Sequence, residues 1–406
     1  MKKGWETKTL GDLFEITSSK RVFEADWTRQ GVPFYRAREI VKLAKQGFVD
    51  NELFISEQMF KQYSTKYGIP TPGDIMVTGV GTLGICYVVK EGDRFYFKDG
   101  NIIWLKKRSD ADSSFVEYAF QSDFLREQID DSVGATVGTF TIIKAKGTRI
   151  PVPPLAEQQR IVGVLDEAFA GLATAQANAE KNLQNARALF ESHLQSVFTH
   201  RGKGWVEKPL SELCDIKHGF AFKGEFFTNK GDYVVLTPGN YYESGGYRDR
   251  GEKQKYYAGE IPPDYIMKEG DMLVAMTEQA AGLLGSPLLV PESNKFLHNQ
   301  RLGLVTAKPG VPWTNEFFFH VFNTQQVRKD IHASASGVKV RHTSPTKIGE
   351  VVVAFPTSIP EQRKIVSTLA ALATETQRLA RLYQQKQAAL AALKKSLLHQ
   401  AFTGEL

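Results

Sequence analysis

Pro153-Pro154-Leu155-Ala156-Glu157-Gln158-Gln159-Arg160-Ile161-Val162 returns later as Ser358-Ile359-Pro360-Glu361-Gln362-Arg363-Lys364-Ile365-Val366. Each run opens a long stretch with no further proline, and proline suits only the entry or first turn of a helix. Behind the first run, apolar or small residues recur at Ile161, Leu165, Ala168, Leu172, Ala175, Ala179, Ala186 and Leu189. Behind the second they recur at Ile365, Leu369, Leu372, Thr376, Leu379, Tyr383, Lys386, Leu390, Leu393 and Leu397, in unbroken steps of four and three. That spacing is a heptad seam on one helix face. Each stretch is expected to form a single helix of about 42 residues, ~60 Å long. A lone helix of this kind would leave its seam in water. The two share one register, so each is the natural partner of the other, and an internal two-fold would make the pair antiparallel.

The repetition extends outward from these helices. Gly4-Trp5-Glu6-Thr7-Lys8-Thr9-Leu10-Gly11-Asp12-Leu13-Phe14-Glu15-Ile16 matches Gly204-Trp205-Val206-Glu207-Lys208-Pro209-Leu210-Ser211-Glu212-Leu213-Cys214-Asp215-Ile216 at an offset of 200. Leu125-Arg126 and Ile129 match Val327-Arg328 and Ile331 at 202, and Phe198-Thr199 matches Phe402-Thr403 at 204. The offset drifts across the globular parts, as insertions in surface loops allow. It stays at 204 from the Glu-Gln pair to the Phe-Thr pair, so that segment behaves as a rigid element. Thr403-Gly404 followed by Gly4-Trp5 would repeat the junction from Thr199 to Trp205, and the two termini are expected to lie close together.

The fold expected is therefore α+β. Residues 1–154 and 201–357 are mixed α/β units, and 155–200 and 358–406 are the long helices. Ile75-Met76-Val77, Ile85-Cys86-Tyr87-Val88-Val89 and Ile102-Ile103-Trp104-Leu105 are β-branched and aromatic, as strands are. Val116-Glu117-Tyr118-Ala119-Phe120 and Phe317-Phe318-Phe319-His320-Val321-Phe322 begin helical stretches expected to run on through Arg126 and Arg328.

Composition removes several classes of function. A length of 406 residues exceeds one hydrophobic core. Cys86 and Cys214 are too few for a disulfide scaffold. The eight histidines all lie beyond position 192 and form no HxH or HExxH pattern, so no metal is expected. No apolar h-region follows Met1, and no window holds 18 consecutive apolar residues. A cytoplasmic location without membrane association is expected. The formal charge of +6 is spread thinly: the two α/β units carry +2 each, the first helix −2, and the segment from 355 onward +4. An anionic partner must be met by local patches and not by a global field.

Gly79-Val80-Gly81-Thr82-Leu83-Gly84 spells a dinucleotide fingerprint, yet a strand-like run follows it where a helix is needed. It is expected to be a strand–loop–strand turn. No GxxxxGK[ST] occurs, Pro263-Asp264 has no acid-x-Lys after it, and no (Asp/Asn)-Pro-Pro-(Tyr/Phe) run is present. No catalytic residue is expected. Basic, aromatic and amide side chains gather in two matched loops per half, and such side chains read base edges and hold phosphates. The candidates for DNA contact are Arg36 and Arg38, then Thr136, Thr139 and Lys144. Their counterparts are Asn240, Tyr242, Arg248 and Arg250, then Lys339, Arg341, His342 and Lys347. Ile161, Leu165, Leu172, Ile365, Leu369, Leu372, Leu379, Leu390, Leu393 and Leu397 are the expected pairing seam. Composition alone leaves the loops equally open to being solvated surface.

The Pro–Glu-Gln–Ile-Val run before a long helix, repeated some 200 residues apart, resembles the specificity subunits of type I restriction–modification systems, as do Phe198-Thr199 and Phe402-Thr403-Gly404-Glu405-Leu406. The resemblance covers the whole chain. Copy one departs from it mildly, with Ala156 where copy two has Pro360. It implies two target-recognition domains separated by an antiparallel coiled coil, each reading one half of a bipartite, asymmetric duplex DNA target. Helix length would set the spacer between the halves. It implies two modification (methyltransferase) subunits and restriction (translocase/nuclease) subunits as partners. S-adenosylmethionine, and ATP with Mg for restriction, would belong to those partners, and this chain would have no active site. A separate specificity subunit of a type IIB-like system is the alternative. A coiled-coil scaffold without DNA contact, and an enzyme of unrecognised motif, are the competing classes.

Overall fold

The computed structural model describes residues 4–130, 138–279 and 282–406. The chain divides into two compact units, one of residues 1–181 with 384–406 and one of residues 182–383. Each contains one α/β domain, the start of the long helix that follows it, and the end of the other long helix.

In the first unit a four-stranded antiparallel sheet runs Phe14–Thr17, Ile102–Lys107, Ile75–Thr78, Cys86–Val88. Its central strands are apolar on both faces, since Ile75, Met76, Val77, Ile103, Trp104 and Leu105 are all buried. One face carries the main core, with Phe115, Phe120 and Phe140. The other carries a smaller core with Ile40, Phe97 and Trp104. The Gly79–Gly84 run is the turn between two antiparallel strands, as the residues following it suggested. Gly84 has φ +67, and a Cβ there would lie 2.7 Å from Ile129. Gly285 repeats this at φ +74 against Ile331. Only glycine meets both demands, which explains a shared feature in otherwise divergent loops.

The second unit repeats the sheet as Cys214–His218, Leu302–Ala307, Met272–Ala275, Pro287–Leu289. Beside each main sheet lies a smaller one in which a parallel pair forms, Val32–Tyr35 with Tyr96–Phe97 and Val234–Val235 with Phe296–Leu297. A two-stranded ribbon closes each domain at its helix: Glu6–Thr9 pairs with Arg149–Val152, and Trp205–Pro209 with Val352–Pro356.

The helical stretches after the sheets are each split in two, contrary to the uninterrupted helices expected. They form Ser113–Gln121 with Asp123–Asp130, and Asn315–Phe322 with Gln325–Ser334. A hydroxyl residue makes the break. Ser122 and Thr324 turn their Oγ back onto the carbonyls of Ala119 and Val321. Their own carbonyls then accept from Arg126 and Arg328, starting the next helix. Serine and threonine compete with the helix backbone in this way.

The long helices are Leu155–Thr199 and Ile359–Thr403, 45 residues each. In the first unit they run antiparallel. Arg160 donates to the carbonyl of Leu406 at 2.7 Å, and Lys394 lies 4.8 Å over the Phe169 ring. Ile161 and Leu165 share a core with Leu398, Ala401 and Phe402. In the second unit Leu194 and Phe198 share a core with Leu369, and Ile365 packs against it. Trp5 and Leu406 pack on one cluster, in keeping with the expectation for the termini.

The seam departs from a strict heptad. Leu172, Ile365, Leu372, Leu379, Leu390 and Leu397 are half-buried, but Leu393 is 48% exposed and Leu189 49%. The buried apolar positions of the first helix are Ile161, Leu165, Ala179, Leu183, Ala186, Leu194 and Phe198. Two consecutive steps of four, from the half-buried Ala175 through Ala179 to Leu183, move the stripe off the predicted track. A straight helix repeats every 3.6 residues, so a 3.5-residue track drifts off the buried face within a few turns.

Leu369 is fully buried, and Leu369→Ala should destabilise the second unit by about 2–5 kcal/mol. Leu393→Ala should stay within about 1 kcal/mol, because its side chain is already half in water. Denaturant unfolding of the two variants checks this. His298 is fully buried, and burial pulls its imidazole down to about 4. The unfolded chain titrates near 6.5. Below that value the unfolded state takes up a proton that the native state refuses. The associated stability is present above about pH 6.5 and is lost as pH falls toward about 4, on the order of 3 kcal/mol. His298→Gln should flatten the pH dependence of unfolding over that window.

Candidate functional site

In each domain three segments meet at one place: the loop after the strand that precedes the glycine turn, the turn leading into the longest strand, and the loop before a short helix. In the second domain they enclose a cleft of about 420 Å³ lined by Thr277, Gln279, Arg301 and Val340, with Arg250 and Lys255 from a neighbouring loop. In the first domain the same segments enclose a hollow of about 400 Å³ lined by Gly79, Gly100, Thr139, Thr141 and Ile143, with Ser18. The scaffold is shared and the furnishing differs. One cleft presents guanidinium, ammonium and amide groups, with the carboxylates of Glu243 and Glu278 also in its wall, and the other hydroxyls and β-branched carbons.

Local hydrogen bonding builds the basic cleft. The buried His298 imidazole bonds the carbonyl of Leu302 at 2.9 Å, closing the turn that carries Arg301. Thr277–Glu278 pairs with Arg341–His342 as a short antiparallel ladder, tying two of the segments together. Glu278 is buried behind it, and its Oε2 accepts from the backbone N–H groups of Gly282, Leu283 and Leu284 at 2.8–3.1 Å. Its other oxygen faces His332 at 3.5 Å and Arg341 at 3.6 Å. Burial draws the nearby Arg328 guanidinium down to about 10 against the pull of Glu278, and Arg328 donates to the Gly282 carbonyl. A buried carboxylate held by three amides and facing the Arg341 guanidinium fixes the loop, because removing that counter-charge leaves a buried charge uncompensated.

The residues expected from sequence fall into three groups. Arg250 lines the basic cleft, while Tyr242, Arg248 and Lys339 are exposed on its loops and His342 on its short strand; in the first domain Thr139 is exposed on the loop and Lys144 in the helix Ile142–Gly147 that follows. Thr136 lies outside the described residues. Others are committed to the protein itself. Arg36 and Arg38 both bond Glu39, and Arg38 also reaches Glu52 at 2.9 Å. Burial alone would raise the Glu39 carboxyl, but the hydrogen bonds from Arg36 and Arg38 outweigh it and hold the group below its ordinary value. Arg341 donates to the His332 carbonyl, and Lys347 to that of Ser334 at 2.7 Å.

Asn240 requires correction as a DNA contact. It is 1% exposed, and its amide is consumed by Thr237, Gln254 and Arg248. Sequence reasoning also passed over Lys255, Thr277, Gln279 and Arg301. The one available signal was the polar run Asn299-Gln300-Arg301 between two apolar strands. What brings it to the cleft is the parallel pairing of Val234–Val235 with Phe296–Leu297. Among the described residues no cluster of His, Cys, Asp and Glu could hold a metal ion, and no helix is long and apolar enough to cross a membrane.

The model of the type I restriction modification DNA specificity domain family matches residues 2–183 and again 202–386. A putative type I restriction enzyme specificity subunit of Haemophilus influenzae is 31% identical over 160 residues, 39% of this chain and 38% of that protein. The specificity subunit of the type I restriction enzyme EcoBI of Escherichia coli is 26% identical over 223 residues, 54% and 43% of the two chains. The matches thus span less than half the length of these curated relatives. Among solved structures, the HsdS subunit of Thermoanaerobacter tengcongensis superposes with a TM-score of 0.65 at 17% identity, covering 100% of this chain and 98% of the other. A chain from work on complex assembly and conformational transition of the type I R-M system superposes with a TM-score of 0.75 at 18% identity, covering 100% and 99%. At such identities these likenesses show the fold. Two family matches that together take in most of the sequence, on two copies of one scaffold, make this chain a member of the type I restriction–modification DNA specificity family.

Proposed function

We propose that the chain is the DNA-reading subunit of a type I restriction–modification complex. Each recognition domain reads one half of a bipartite, asymmetric duplex target. The paired helices set the distance between the halves and dock two modification subunits, and restriction subunits join that assembly. The chain itself carries no catalytic group. S-adenosylmethionine, and ATP with Mg, are bound by the partners.

The observation that carries this is the pair of differently furnished clefts at topologically equivalent places. Identical clefts would suit a symmetric target. The guanidinium groups of Arg250 and Arg301 suit guanine edges or phosphates, and Gln279 suits adenine. In the first domain Thr139, Thr141 and Ile143 offer hydroxyls and a methyl surface, which suit thymine. Each domain brings only +2 of charge, so the isolated chain should bind DNA weakly and depend on its partners for phosphate contacts.

Single-molecule methylome sequencing of a host carrying the system is the direct test. It should show methylated adenine in two short, unlike half-sequences separated by a fixed spacer. A continuous motif would contradict the proposal. Arg301→Ala in the assembled methyltransferase should weaken DNA binding by about 1–3 kcal/mol and either relax one base position or lower the salt slope by about one. Arg38→Ala should leave binding nearly unchanged, because its charge is already met by Glu39 and Glu52. Competition binding at two salt concentrations separates these outcomes.

A further inference from the structure

The glutamine of each Glu-Gln pair does the same work in both copies. Gln158 is 3% exposed, although it lies in the first turn of a helix whose neighbouring positions are in water. Its Nε2 donates to the carbonyl of Pro153 at 2.8 Å, and its Oε1 accepts from the backbone N–H of Asp112 at 2.9 Å. Gln362 is fully buried. Its Nε2 donates to Pro356 at 3.0 Å and Pro312 at 2.8 Å, and its Oε1 accepts from the N–H and hydroxyl of Thr314, both at 3.1 Å. Asp112 and Thr314 are the N-cap residues of Ser113–Gln121 and Asn315–Phe322. Those helices present Phe115 and Phe317, against which the Phe402 and Phe198 rings pack tilted, with centroids 5.0 and 5.6 Å apart. One side chain therefore joins the last strand of the domain, the first turn of the rod and the segment that receives the tail of the other rod.

We infer that Gln158 and Gln362 are positioning residues that fix the angle of each recognition domain on its rod, and so set how strictly the spacer is measured. The inference rests on the bipartite reading proposed above. A recognition domain of some 150 residues is about 35–40 Å across. A tilt of only about 5° at its root moves the far face by about 3.4 Å, the axial rise of one nucleotide along a strand. Apolar contacts at the root are non-directional and tolerate such a tilt. Hydrogen bonds on both sides of one amide narrow the range of tilt, because each is confined to a donor–acceptor distance of about 2.7–3.2 Å. The planar amide presents a donor and an acceptor on opposite sides, which no other side chain of this length does except asparagine, one carbon shorter.

The test uses the assembled methyltransferase and duplexes carrying both half-sites with the natural spacer, one base pair fewer and one more. The wild type should methylate the natural spacer best. Equal rates on all three would remove the bipartite reading, and the inference with it. The double variant Gln158→Met, Gln362→Met keeps side-chain length and loses the hydrogen bonds. It should lose about tenfold or more of the preference for the natural spacer, while base preference within each half-site is unchanged. Gln158→Glu with Gln362→Glu keeps the shape and the acceptor but sets an oxygen against the Pro153, Pro356 and Pro312 carbonyls, and should lose the preference as the Met variant does. A lower melting temperature with spacer preference intact would overturn the inference, since the glutamines would then be structural only. A change in half-site bases would overturn it as well. Should the Met variant fail to assemble, spin labels at Lys45→Cys and Glu180→Cys on the free chain report the same angle. Their distance distribution should broaden with Gln158→Met, and an unchanged width would count against the inference.

Discussion

A helix of 45 residues with one apolar stripe must bury that stripe against a partner, and the rest of this structure follows from how the stripe is covered. The start of one helix packs with the end of the other, in two separate units. Ile161 and Leu165 meet Leu398 and Ala401 in one, and Leu194 and Phe198 meet Leu369 and Ile365 in the other. Burying a leucine contributes roughly 1.5–3 kcal/mol, so each unit is held by several such side chains. The first unit is not complete without a segment distant in sequence, whereas the second is one continuous stretch that begins inside the first long helix. Residues 384–406 finish the first domain's core, and residues 182–199 finish the second's.

This exchange accounts for the contrast between the constant helices and the drifting domains. Phe198 and Phe402 occupy equivalent seats on Phe317 and Phe115, and the Glu-Gln pairs occupy equivalent roots. A residue added to one helix would pull its tail aromatic off its seat by about 1.5 Å and rotate it by about 100°. The domain loops carry no such constraint, because their ends are fixed by strands and their middles face solvent. The acidic loop anchor Glu278 has no counterpart in the glycine turn of the first domain, where Thr78 bonds the carbonyl of Thr82 instead. The two domains thus reach the same place with different chemistry.

Much of the architecture was legible because it depends on periodicity and repetition. The strands at Ile75, Cys86 and Ile102, the two rods and the non-nucleotide glycine turn follow from local pattern. The site was far less legible. Arg36, Arg38 and Arg341 stand in polar stretches just as a reading residue would, and only the fold brings the carboxylates and carbonyls beside them. Asn240 reads as a base-contacting amide, yet its hydrogen bonds are spent inside the loop. Arg301 entered the cleft through a strand pairing between segments some sixty residues apart, which no local pattern encodes.

By itself the sequence determined that the chain is written twice, that each copy ends in a rod, and that the rods belong together. These properties are set by side-chain spacing along the backbone, which local geometry converts directly into faces. Only the tertiary structure decided which stretch of seam is buried, which cations are free to meet a partner, and why the glutamine of the Glu-Gln pair recurs. Those depend on contacts between residues far apart in the chain. Drift of the 3.6-residue repeat moved Leu189 and Leu393 into water, and the folding of three segments onto one amide gave Gln158 and Gln362 their partners.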